Sequence, residues 1–111
     1  MLIFPLKKEW YEKIKNGEKT VEYREIKSYW TNRIFNAIEE YHYQNDFKNL
    51  ILTGYSTIEF TNPFYCYFQL GYKPETRIKA RITKIEDNNS GMKTDLKIDK
   101  PVYEIHFKLE D

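Results

Sequence analysis

The sequence predicts an α+β fold, a small β-barrel of five to six mostly antiparallel strands with two main helices at one side. Three observations predict it. Apolar residues recur at helical spacing in two stretches before residue 44, and with period two after residue 50. Aromatic residues make up 17% of the chain, with ten Tyr, seven Phe and two Trp, a bias that favours strands. The 111 residues suit one domain, residues 1–111, with room for one modest core. Closing the sheet would remove edges that aromatic strands otherwise expose.

Along the chain, "MLIFPL" reads as a first strand ended by Pro5, which cannot donate to a ladder. In "LKKEWYEKIKNG", Leu6, Trp10 and Ile14 recur at i, i+4 and i+8, giving one apolar stripe on a short helix. Lys7, Lys8, Lys13 and Lys15 surround it, and Asn16-Gly17 is a helix stop. "TVEYRE" is the second strand. Ser28 suits the N-cap of a second helix over "YWTNRIFNAIEEYHY". There Trp30, Ile34, Ile38 and Tyr41 share a face that Phe35 broadens. "QNDFKN" reads as a loop. "LILTGYS", "TIEF", "FYCYFQL", "TRIKARITKIE" and "VYEIHFKLE" are further strands, and the last two alternate apolar with charged residues. "EDNNSGMKTDLKIDKP", residues 86–101, is a long polar connection expected to hold a flexible loop.

Composition narrows the function. Eighteen basic and 17 acidic side chains leave a net charge of +1, less than a strong polyanion binder carries, so nucleic-acid contact needs a local patch. The single cysteine, Cys66, rules out an intrachain disulfide and a cysteine-based zinc site, and suits a reducing, cytoplasmic setting. In its aromatic strand it reads as an inert buried thiol. No apolar run approaches the length of a membrane span. His42 falls in a polar loop region and His106 on a polar strand face. No His-Glu spacing fits a metal site, no Ser-His-Asp arrangement can be read and no glycine-rich phosphate loop exists. No metal and no cofactor are expected.

Three groups could carry chemistry. Period two puts Thr20, Glu22 and Arg24 on one strand face, with Lys19 at the turn beside them. Together they could hold an anion, or Lys19 could serve as a base; an exposed face with a salt bridge is the plainer reading. Tyr29 and Arg33, four apart on the second helix, could stack a base and contact a phosphate, or be a solvated face. Arg77, Lys79 and Arg81 form a basic strand stripe of the kind that meets a phosphate backbone, and that solvent-facing strands also carry without one.

The opening run "FPLKKEWYEKIKNGEKTVEYREIKSYWTNRI", residues 4–34, resembles the opening pattern of the ASCH domain family within the PUA-like superfamily, in its small phage and bacterial form. "TGYS", residues 53–56, resembles the family's Gly-Tyr-Ser stretch, and "IKARITKIE" and "VYEIHF" are similar to its last barrel strands. The resemblance implies a PUA-like barrel with a cleft between the first helix, the Gly-Glu-Lys turn and the barrel, and binding of RNA or a nucleotide there. It implies that Lys19, Glu22 and Arg24 line the cleft, with Lys7, Tyr29 and Arg33 at its rim and Tyr55 and Ser56 facing it. A small branch hydrolyses the amide of acetylated cytidine, and some members cleave RNA. As an enzyme the chain would use Lys19 and Glu22. That branch carries a nucleophilic threonine two positions before the arginine, where this chain has Glu22, and a glutamate on a later loop, for which Glu86 and Glu104 are the candidates here.

Overall fold

Two periodicities produce two kinds of element. The computed structural model describes residues 1–45, 50–52 and 57–110. Its strands are β1 (Ile3–Leu6), β2 (Val21–Glu25), β3 (Leu50–Leu52), β4 (Thr57–Phe60), β5 (Tyr65–Leu70), β6 (Ile78–Asn88) and β7 (Val102–Leu109). The helices are α1 (Lys8–Lys15) and α2 (Ser28–Asn45). The strands form one seven-stranded sheet curled into a half-barrel, the α+β architecture expected; the three-residue β3 is among the seven.

The 11-residue β6 is the spine. One of its edges carries β5 along residues 78–81 and β4 along residues 84–86, and the other carries β7. Beyond them β2 adds to β7, β1 to β5 and β3 to β4, and β1–β5 is the parallel pair. The β6–β7 register shifts between Ile82 and Lys84. Such a bulge bends the strand and increases its twist. Here it also lets Ile82 and Ile85, an odd number of residues apart, both face inward and be buried. Among the described residues no backbone ladder joins β1 to β2.

The core is built from the inner faces of the strands and one face of each helix. Phe68 lies between Phe4 and Phe107, with ring centroids at 5.8 and 4.5 Å. Tyr41 of α2 meets Phe60 and Phe64 edge-on at 5.4 and 5.3 Å. Edge-to-face and offset aromatic pairs of this kind add to their area burial. Tyr11 donates its hydroxyl to the Thr76 carbonyl at 2.6 Å, which fixes α1 against the turn at Pro74–Thr76. Thr31 and Tyr103 share a hydroxyl contact at 2.6 Å that ties α2 to β7.

Several elements differ in detail from the sequence expectation. Leu6 belongs to β1, paired with Leu70, so α1 begins at Lys8 and buries Tyr11 and Ile14. Lys27 supplies the first helical acceptor of α2 through its carbonyl, to Thr31 N–H, so the helix starts one residue earlier than an N-cap at Ser28 implies. His42, Gln44 and Asn45 lie in α2, where loop was expected. Phe35 faces solvent instead of broadening the buried face of α2.

Residues 86–101 are not a free loop. β6 runs on to Asn88, and the remainder is pinned by a Gly91–Ile98 bridge and by Gly91 N–H donating to Lys100 O at 2.9 Å. Thr94 and Ser90 side chains bond within it. At Gly91 a Cβ would stand 2.7 Å from Val102 Cγ1 and 3.1 Å from the Ile98 carbonyl oxygen. Val102 is fully buried, so the backbone can come this close only without a side chain. Gly91→Ala is expected to cost about 1–3 kcal/mol, the usual overpacking penalty, read from urea unfolding. Wild-type stability in that variant would mean that the loop base yields freely.

Candidate functional site

The site begins where α1 ends. Gly17 takes a left-handed φ of +86°, which glycine accepts without a Cβ penalty. The chain then turns back so that Lys19 N–H donates to the Lys13 carbonyl at 3.0 Å. This return lays the Lys19 side chain along the Trp10 ring, with Nζ 5.5 Å from its centroid and 4.8 Å from that of Tyr23.

β2 then sets which side chains face in. Glu22 lies opposite Ile105 and Arg24 opposite Tyr103, both buried residues of β7. Val21 and Tyr23 take the outer face. The plainer reading, an exposed salt-bridged strand face, is therefore reversed for Glu22 and Arg24: Glu22 is 3% exposed. A buried charge needs partners with good geometry, and Glu22 has them on both oxygens. Oε2 accepts from Arg24 Nη1 at 2.5 Å. Oε1 accepts the Tyr23 N–H at 3.0 Å and lies 3.3 Å from Lys19 Nζ.

Arg24 uses its remaining donors structurally. Nη1 also donates to the Tyr23 carbonyl at 2.9 Å, and Nη2 donates to the Pro5 carbonyl of β1 at 2.8 Å. The guanidinium packs against both Phe4 and Trp30, at 5.2 and 4.9 Å from their centroids, and those two rings stack on each other at 5.4 Å. It thus bridges the two strand edges that no ladder joins. The planar, weakly hydrated guanidinium suits this stacked, semi-buried place better than an ammonium would.

Lys19 is 9% exposed. Its ammonium has three donors and three acceptor groups: the Val21 carbonyl at 2.6 Å, the Glu22 carboxylate, and the carboxylate of Asp95 from the 89–101 connection. Two cations and two carboxylates balance. The ammonium borders an open pocket of about 310 Å³ lined by Trp10, Lys13, Glu18, Lys19, Thr20, Val21, Tyr23 and Asp95. Burial, and then the Glu104, Asp95 and Glu22 carboxylates, raise the Tyr23 hydroxyl above its ordinary value, so Tyr23 stays a neutral wall. Beneath the network, burial foremost and Glu22 next push the Cys66 thiol far up, with Arg24 opposing.

Lys19, Glu22 and Arg24 therefore converge, but of the three Lys19 alone lines the pocket, with Glu22 and Arg24 behind it. Thr20 lines the pocket too, while its carbonyl accepts the Phe107 N–H. The other expected residues lie elsewhere. Lys7 precedes α1 and lines a separate groove with Pro5, Leu6, Lys8 and Leu70–Lys73. Arg33 covers Tyr29 at 4.2 Å, and Tyr29 touches Trp30 edge-on. They connect to the network through Trp30, whose ring Arg24 covers at 4.9 Å. Tyr55 and Ser56 lie outside the described residues. Lys79 lies over Tyr65, and Arg77 donates to Gln69, so two cations of the basic stripe have local partners.

Two features escaped sequence reasoning. Asp95 is 76 residues from Lys19, in a polar run where nothing distinguishes it from its neighbours. Its carboxylate reaches Lys19, whereas Glu86 and Glu104 are the residues considered for the later-loop glutamate of the amide-hydrolysing branch. Those two instead meet His106 on the outer face of β6 and β7, their ligand atoms all within 4.8 Å of one another. Period two puts Glu104 and His106 on one face of β7, but Glu86 comes from the neighbouring strand, and no local spacing announces it. No protein-family model, curated protein or solved structure matches the chain. Among the described residues no helix is long and apolar enough to cross a membrane.

Glu22→Ala would leave two buried cations short of a partner and is expected to destabilise the fold by about 3–5 kcal/mol. Urea unfolding measures this, and a loss under 1 kcal/mol would place the network at a solvated surface. Because the folded chain keeps the Cys66 proton that the unfolded chain releases in alkali, stability is expected to fall as pH rises past the thiol's ordinary value. For the same reason iodoacetamide at pH 8 is expected to label Cys66 only after denaturant is added. Rapid labelling of the native chain would contradict the burial.

Proposed function

We propose that this chain is an ASCH-type module that binds RNA or a nucleotide in the pocket beside the Gly17–Lys19 turn. One observation carries the reading. The buried ammonium of Lys19 already accepts an anion there, the carboxylate of Asp95, delivered by a separate segment at the edge of an aromatic-walled pocket. A phosphate oxygen can replace that carboxylate with a charge-assisted bond of the same kind, and Trp10 or Tyr23 offers a face for an unstacked base. Arg24 does not contact the ligand in this reading. Its donors hold Glu22 and Pro5, so it orients Glu22, which in turn fixes Lys19. The near-neutral charge of the chain fits recognition of one phosphate or base edge better than a run of phosphates.

A second reading has an observation of its own. Asp95 and Glu22 both face Lys19, an arrangement that can orient and deprotonate water for hydrolysis of a modified nucleoside, such as acetylated cytidine, or of RNA. Both Glu22 oxygens are engaged by backbone and cations, so the base would be Asp95, with Lys19 steadying the developing oxyanion.

Asp95→Asn uncovers Lys19 without removing it. Fluorescence anisotropy with short labelled RNAs, and calorimetry with nucleotides, are expected to show tighter binding in this variant. Lys19→Ala is expected to weaken binding and shallow the log–log salt dependence by about one unit. Equal affinity and slope in wild type and Lys19→Ala would sink the binding reading. Turnover of acetylated cytidine that disappears in both Lys19→Ala and Asp95→Asn would favour the hydrolase, and no turnover by the wild type would set it aside.

A further inference from the structure

We propose that Glu86, Glu104 and His106 on the outer face of β6 and β7 bind a divalent transition-metal ion, with zinc the best match to their donor set. The inference does not depend on the nucleotide-binding reading.

The starting point is a repulsion. Glu86 and Glu104 stand directly opposite each other across antiparallel strands, where like charges destabilise a sheet. The register that opposes them is imposed. Without the bulge between Ile82 and Lys84, the pairing of Ile82 with Phe107 would continue in step and set Ile85 against Glu104. The bulge advances β6 by one residue, so Glu86 takes that place and Lys84 faces His106. Bulges are over-represented where a side chain must be re-aimed at a site.

The side chains then converge on one point. His106 Nε2 is 3.1 Å from Glu86 Oε2 and 3.9 Å from Glu104 Oε1. Tetrahedral zinc takes imidazole nitrogen and carboxylate oxygen at about 2.0–2.2 Å, which puts its ligand atoms about 3.3–3.6 Å apart. One measured separation lies just below that span and the other just above it, and with all three ligand atoms within 4.8 Å of one another small side-chain adjustments bring them onto one ion. The outer oxygens are held by other groups. Glu86 Oε1 pairs with Lys84 Nζ at 3.3 Å, and Glu104 Oε2 accepts from Asn88 Nδ2 at 2.8 Å. Each carboxylate is therefore braced by a neighbour that leaves its inner oxygen towards the imidazole, as supporting groups do around metal ligands. Lys84 answers one of the two carboxylate charges, and a bound cation would answer the other.

The site is accessible. The three side chains are between 22% and 30% exposed, and beside them lies an open, polar pocket of about 470 Å³ lined by Thr57, Glu86, Asp87, Asn88, Asn89 and Glu104. Two of the three ligands, Glu86 and Glu104, line that pocket, so a bound ion would have its fourth tetrahedral position open to water, the pattern of an open rather than a closed zinc site. Imidazole with two carboxylates favours zinc, manganese or iron over calcium and magnesium, which prefer all-oxygen shells.

Calorimetric titration of the full chain with zinc chloride, manganese chloride and calcium chloride in a weakly coordinating buffer tests this. The expected result is saturable one-to-one zinc binding, with calcium at least tenfold weaker. His106→Gln and Glu104→Gln are each expected to abolish it, and Asn88→Ala to weaken it about tenfold. His42→Gln, at the other histidine of the chain, is expected to leave it unchanged. The substitutions at Asn88, Glu104 and His106 lie on the outer face of β6 and β7, and circular dichroism checks that each variant is folded. Relief of the Glu86–Glu104 repulsion is expected to make metal-free Glu104→Gln melt no lower than metal-free wild type. No saturable zinc binding, equal affinity for calcium, or zinc binding that survives His106→Gln with Glu104→Gln would overturn the assignment.

Discussion

The carboxylate of Glu22 is the contact on which the rest of the molecule depends. It lies inside the half-barrel, in register with Ile105, where an unpaired charge would cost several kcal/mol. Its two oxygens divide the work. One draws in Arg24, whose guanidinium reaches across to the Pro5 carbonyl and so joins β2 to β1 where no ladder does. The other anchors Lys19 at the turn after α1. Strand pairing, the helix stop and the aromatic packing of Phe4 and Trp30 on Arg24 all meet at this one group. Removing it would release a structural clasp and the candidate site together.

That dual role shapes what the site can do. Lys19 and Arg24 look like a basic patch in the sequence, yet their charges are answered within the fold by Glu22 and Asp95. Arg24 is committed to holding the barrel. Lys19 holds one partner, Asp95, that comes from another segment and lies at the pocket rather than in the core. On the proposed binding reading, an incoming anion would compete with an internal one, and affinity would be a difference between two similar interactions. Selectivity would then fall to the shape and aromatic walls of the pocket, with charge setting where a ligand docks.

Much of this was legible beforehand. The period of two in "VYEIHFKLE" placed Ile105 and Phe107 inside and Glu104 and His106 outside, as found. Asn16-Gly17 marked the end of α1, and Cys66 was assigned to the interior. The same rule of alternation failed for β2, where it separated the two faces correctly but assumed that the charged one was wet. Glu22 and Arg24 face inward because each meets its counter-charge there, a pairing that periodicity does not register. Leu6 fits the helical stripe by spacing yet lies in β1, because i, i+4 spacing does not register its pairing with Leu70.

The sequence by itself determined most of the local elements, the buried Ile34, Ile38 and Tyr41 face of α2, and the presence of Lys19, Glu22 and Arg24 at one turn. Those properties follow from spacing along a few residues, which the backbone converts into faces and turns. The tertiary structure alone decided that Asp95 closes on Lys19 and that Glu86 opposes Glu104 beside His106. The first contact depends on how a 13-residue connection folds back, and the second on a single-residue shift in strand register. Neither leaves a trace in spacing, because each is fixed by side chains that are distant in sequence and adjacent only once the sheet has curled.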